Sequence, residues 1–144
     1  MRKLRLVCLL VLAACCLAAC TATQPFTTQQ VVGSIPNDTP ESEVISAPAT
    51  AAVNQTITLT VNTYGSSSCT TPDGARVEVD GLTATITPLD RIPRGDVACT
   101  ADLAARPHTV EVTFAQAGDA VIRVIGQGFE GAQTIKEQRI TITQ

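Results

Sequence analysis

The only histidine of the chain, His108, follows Pro107, and the nearest run of hydroxyls, Ser66-Ser67-Ser68, carries no nucleophile-elbow pattern around it. Serine catalysis needs a base that is itself oriented by an acid. Nothing in the spacing supplies one, so His108 reads as a rim residue at a strand start and the serines as a turn. Asp73, Asp80, Asp90, Asp96 and Asp102 all fall in expected loops, at none of the EF-hand spacings. A soft-metal site would need more Cys or His ligands than His108 offers beside the cysteines, so neither a metal nor another cofactor is expected. Gly126-Gln127-Gly128-Phe129-Glu130-Gly131 matches G-x-G-x-x-G after an apolar strand. The dinucleotide fingerprint also needs a helix N-terminus beneath the pyrophosphate, and the residues beyond Gly131 read as a strand, so a hairpin loop is expected. The chain is not expected to be an enzyme.

The cysteines carry the clearest chemistry. Met1-Arg2-Lys3-Leu4-Arg5 is followed by an apolar run from Leu6 to about Leu17, shorter than the roughly 20 residues needed to span a bilayer, which is the pattern of a signal peptide. Its end, Leu17-Ala18-Ala19-Cys20, resembles the lipobox of bacterial lipoproteins. That resemblance implies cleavage after Ala19, a diacylglyceryl group on Cys20, and attachment to a membrane of the cell envelope. Thr21, not aspartate, would be the second mature residue, which favours the outer membrane where the host has one. Leu12-Ala13-Ala14-Cys15 also fits the pattern but would leave a short apolar run, so Cys20 is preferred. Cys8, Cys15 and Cys16 then leave with residues 1–19.

Of the ten Lys and Arg, three are Arg2, Lys3 and Arg5, leaving seven against 13 Asp and Glu, a net charge of −6 for the remainder. The basic residues are scattered, so no nucleic-acid partner is expected. With 3% aromatic residues and no Trp, the chain also lacks the usual stacking surfaces for sugars and the favoured anchors of tight interfaces. Cys69 and Cys99 remain in the exported part, where thiols tend to oxidise, and a disulfide between them is expected.

Residues 20–42 are rich in Thr, Gln, Ser and Pro and read as a disordered tether, with Val31-Val32 and Ile35 the only hint of a docked strand. From residue 43 to 144, short alternating segments separated by turn residues predict an all-β domain. Ile57, Leu59 and Val61 alternate with Thr56, Thr58, Thr60 and Asn62. Val77 and Val79 alternate with Arg76, Glu78 and Asp80. Asp80-Gly81 then marks a hairpin whose favoured turn has positive φ at both central positions. Val110, Val112 and Phe114 give a further strand, Ala120–Ile125 a central one, and Thr134–Thr143 a last one with Ile140 and Ile142 inward and Lys136, Glu137 and Arg139 on a soluble edge. Val44-Ile45 supplies a short first strand.

About seven strands resemble an immunoglobulin-like antiparallel β-sandwich, and Ala47–Leu59 and Phe114–Val124 look like segments of bacterial immunoglobulin-like repeats. The resemblance lacks the core Trp and the tyrosine corner of antibody-type domains.

The bridge would pin a long connection, residues 88–107, to the rim. Asp90, Arg91, Arg94 and Asp96 make this a candidate binding loop, and Arg94-Gly95-Asp96 within it matches the integrin-binding tripeptide while also having the form of a charged surface turn. The expected function is therefore a lipid-anchored, non-enzymatic envelope module that is structural or binds another envelope protein. The alternative is a small-ligand or protease-inhibitor-type binder that uses loop 88–107. Oligomeric state is left open by the sequence.

Overall fold

The computed structural model describes residues 27–144; the signal sequence, both lipobox candidates and Cys20 lie outside the described residues. Most of the described chain is strand. In order it forms β1 (Thr28–Val32), one helical turn (Glu41–Val44), β2 (Ile45–Ser46), β3 (Thr50–Ala52), β4 (Thr56–Gly65), β5 (Thr71–Asp80), β6 (Thr83–Pro93), β7 (Ala104–Thr113), β8 (Gly118–Gln127) and β9 (Gln133–Thr143).

The strands build two sheets of unequal size. The larger runs β1-β6-β8-β9-β3, with β5 paired to the other edge of β6; the smaller runs β2-β4-β7. β6 is long enough to hold β8 along Thr83–Ile86 and β1 along Leu89–Pro93 on one edge, and β5 on the other. Pairing is not purely antiparallel as expected, because β6 with β8 and β3 with β9 run parallel.

The core lies between the sheets and follows the two-residue period of the strands. Ile57, Leu59 and Val61 of β4, Val110 and Val112 of β7, Ala84 and Ile86 of β6, Ala120, Ile122 and Val124 of β8, and Ile140 and Ile142 of β9 are all buried, with Phe114 just beyond β7. Lys136 departs from its expected place on a soluble edge. It is buried on β9, and its ammonium donates to the Asn37 carbonyl at 2.9 Å.

The segment expected to be a disordered tether is ordered from Thr27 onward. Hydrogen bonds explain why: Gly33 N–H donates to Pro88 O, Ile35 N–H to Gln127 O, and Ser34 O accepts from Tyr64 N–H at 2.8 Å. Ser34 thus joins the end of β8 in the larger sheet to the end of β4 in the smaller one, while Ile35 fills the core between them. The composition of residues 20–42 concealed this, since only Val31, Val32 and Ile35 carry apolar weight. Val44 lies in the helical turn, not in the short strand expected there, which is Ile45–Ser46.

Two further expectations change. The Asp80-Gly81-Leu82-Thr83 hairpin has positive φ at Gly81 and not at Leu82, the type II′ pattern, which needs glycine only at the first central position. Val77 and Val79 lie on the inner face of β5, directly opposite Ile86 and Ala84, yet are 38% and 44% exposed.

Candidate functional site

Asp90 and His108, expected in a loop and at a rim, meet inside the fold. β6 runs on to Pro93 and β7 begins at Ala104, so only residues 94–103 form the connection between them. Pro88 hid this continuation. Its missing N–H falls on the edge that β8 and β1 share, in the gap between their pairings with Thr83–Ile86 and Leu89–Pro93, where the Gly33 carbonyl accepts from Gln127 N–H instead.

His108 Nε2 lies 3.1 Å from Asp90 Oδ1 and 3.1 Å from Thr63 Oγ1, and its Nδ1 lies 3.0 Å from Gly74 O. The Gly74 carbonyl can only accept, which assigns a donor proton to Nδ1. One proton shared between Nε2 and Asp90 Oδ1 then satisfies the pair. The bulge in β5, where the register shifts between Pro72 and Ala75, makes this contact possible, because Gly74, at φ +88°, turns its carbonyl toward the ring. Thr63 also reaches Arg106 O at 3.4 Å.

These residues are not ordered as a hydrolytic triad, in which acid and nucleophile occupy opposite ring nitrogens. Here both share Nε2, and none of the three residues is more than 3% exposed. A cavity of about 240 Å³ is lined by Asp90 together with Val31, Ile92 and Gln127, although Asp90 itself is only 2% exposed. Gly33 closes the cluster from above: a Cβ there would collide with Thr63 Cγ2 and crowd Asp90 Oδ2.

The remaining residues of the proposed loop separate. Arg91, on β6, pairs with Asp73 at 2.6 Å, and Asp73 also accepts from Gln30 at 2.9 Å. Gln30 first, and then the Arg91 guanidinium, hold the Asp73 carboxyl below the usual carboxylate range. Arg94 donates its N–H to Thr27 O, and Arg94 and Asp96 are exposed on the connection.

That connection is fastened to the 66–70 turn in two ways. Cys69 and Cys99 are bridged with their α-carbons 5.7 Å apart. Next to the bridge, Ser67 donates its N–H and hydroxyl to Asp102 Oδ1, each at 3.0 Å, and Thr100 donates its hydroxyl to the same oxygen. Thr100, then Ser67, lowers the Asp102 carboxyl to about 2. The serines therefore bind the connection and do not meet His108. Among the described residues no three His, Cys, Asp or Glu side chains converge as a metal site.

Beyond the bridge lies an open groove of about 400 Å³, with Leu103 and Phe129 on its walls and Asp38 and Glu43 on its rim. Leu103 and Phe129 are 54% and 58% exposed. Its wall is built, not loose: Asn37 is held by Lys136 and by the Thr134 hydroxyl, while Asn62 Nδ2 donates to Glu43 O. Tyr64 lies at the base, its phenol pushed up by burial and then by the Glu43 charge. Sequence reasoning missed this groove. Its only signal was two large apolar residues, Leu103 and Phe129, stranded in otherwise polar loops.

Comparison with protein-family models, curated proteins and solved structures finds no match for this chain.

Proposed function

We propose that the chain is a non-enzymatic interaction module of the bacterial cell envelope, held to a membrane by lipid on Cys20 and favouring the outer membrane where the host has one. In this reading the domain is a variant of the immunoglobulin-like sandwich, supported by two facing sheets and by the β4 and β8 segments that resemble such repeats. The parallel pairs are a departure from that type. The anchor is supported by Leu17-Ala18-Ala19-Cys20 alone. Cys20→Ala should abolish acyl labelling and release the protein from membranes. Labelling that persists there and disappears with Cys15→Ala would move the anchor to the other lipobox.

The observation that carries an interaction role is the groove. Soluble surfaces rarely place two large, exposed apolar side chains from separate loops across one concavity. Its acidic rim at Asp38 and Glu43 fits an apolar segment of a partner protein that also carries basic residues. A photoreactive residue at Phe129 or Leu103 of the full chain, in cells, should cross-link one protein partner, whereas the same residue at exposed Arg139 should not. Equal labelling at all three positions would sink the reading.

The second reading is a small-ligand or inhibitor-type binder, and the 240 Å³ cavity beside Asp90 and Ile92 favours it. Under it a photoreactive residue at Ile92 labels a small molecule and the groove positions capture nothing.

A further inference from the structure

β5 is a long strand with one edge unpaired. Among the described residues it pairs only with β6, and from Ala75 to Asp80 its outer edge carries neither proline nor a bulge. Natural proteins usually blunt such an edge. Of the other terminal strands, β1, β2 and β3 are blunted by length, with five, two and three residues, and the ten-residue β7 carries Pro107 and lies against the Gly74 end of β5 through His108.

The direction of the free hydrogen-bonding groups follows from the register. Val121 N–H donates to Leu82 O and Gly33 N–H to Pro88 O, so the even-numbered residues of β6 face β8 and β1. The odd-numbered Thr83, Thr85 and Thr87 therefore bond β5 through Asp80, Glu78 and Arg76. Val77 and Val79 are left with their N–H and C=O groups pointing out from the edge. Their side chains are the two exposed valines on the inner face.

We propose that this edge pairs with the same edge of a second copy of the chain, antiparallel and centred on Val77 against Val77. That register makes Val77 a hydrogen-bonded pair with its counterpart and sets Val79 opposite Ala75, so the uncovered apolar stripe of each copy is covered by the other. On the solvent face it sets Arg76 opposite Glu78 twice, by symmetry. Opposite charges directly across an antiparallel pair are favourable and like charges are not. Shifting the centre to Glu78 would still set Arg76 opposite Asp80 twice but would also set the Glu78 carboxylate against itself, a like-charge contact that the Val77 register avoids. The bulge at Asp73-Gly74 and the turn at Gly81 bound the ladder to a single short strand, as expected for an isologous contact that closes without propagating.

The full chain, cross-linked in the cells that express it, tests this. Val77→Cys should give a disulfide-linked dimer under mild oxidation, with the Cys69–Cys99 bridge intact. Val79→Cys alone should not, whereas Ala75→Cys/Val79→Cys should. Arg76→Glu should weaken association about tenfold in sedimentation, and Arg76→Glu/Glu78→Arg should restore it. Both valines are exposed, so these variants keep the fold, which circular dichroism checks. Equal cross-linking through Val77→Cys and Val79→Cys would overturn the register. Cross-linking of Val77→Cys to a different protein, or to nothing, would overturn self-pairing.

Discussion

His108, Asp90 and Thr63 show how three polar residues become structural when each is given a partner. An unpaired buried charge costs several kcal/mol, so the cluster is held by the completeness of its bonds and not by attraction alone. Asp90→Ala should destabilise the domain by about 3–5 kcal/mol in chemical denaturation, because it strands the imidazole edge in the interior. Thr63→Val, which keeps the shape and removes one hydroxyl, should cost about 1 kcal/mol. Equal and small losses would show that the three do not act as a cluster. None of this was legible around His108, whose preceding proline read as a strand start. Pro107 is instead inside β7, on the outer strand of its sheet, where a missing N–H is tolerated. Asp90 was hidden for a related reason, since an aspartate between Leu89 and Arg91 looks like loop sequence until β1 and β5 flank it on both edges.

At the level of elements, the alternating strands were readable wherever one face is core and the other wet, as in β4, where Ile57, Leu59 and Val61 fall inward as their spacing predicts. Reading failed where backbone hydrogen bonds decided the outcome. The Gly33–Ile35 segment has almost no apolar weight, yet it fastens three strands. Ile35→Ala should therefore cost about 2–5 kcal/mol, as for any fully buried large aliphatic residue, and a loss under 1 kcal/mol would show that the segment only rests on the surface. The β5 bulge is the second case. Gly74→Ala has open space for its methyl group but a φ of +88° that an alanine resists, so a penalty of roughly 1–2 kcal/mol is expected. If backbone strain and not lost packing is the cause, Gly74→Asn should recover part of it, since asparagine tolerates left-handed backbone better.

Across the whole molecule, residues 94–103 are held by two fastenings of different chemistry, and the balance between them sets how this end responds to its surroundings. The disulfide closes a separation of 30 residues, for which chain entropy gives roughly 3.5 kcal/mol, so Cys69→Ala/Cys99→Ala should lower stability by about that much while the sheets persist. The Asp102 contacts depend on charge. Its carboxyl is lowered from 3.8 to about 2, so their contribution is complete above about pH 4 and lost as the pH falls through about 2. In the oxidised protein that loss is masked, because the bridge keeps Cys99 beside Cys69 whatever the state of Asp102. With both cysteines replaced, acidification from pH 5 to 2 should free the connection, seen as a drop in amide protection at Thr100, whose N–H donates to Ser68 Oγ, that the wild-type protein does not show. Asp102→Asn in the cysteine-free background should give the same low protection already at pH 5. If protection in that background stays flat with pH, the hydroxyl and carboxylate contacts at Ser67, Thr100 and Asp102 do not hold the connection, and the disulfide alone positions Leu103 at the groove.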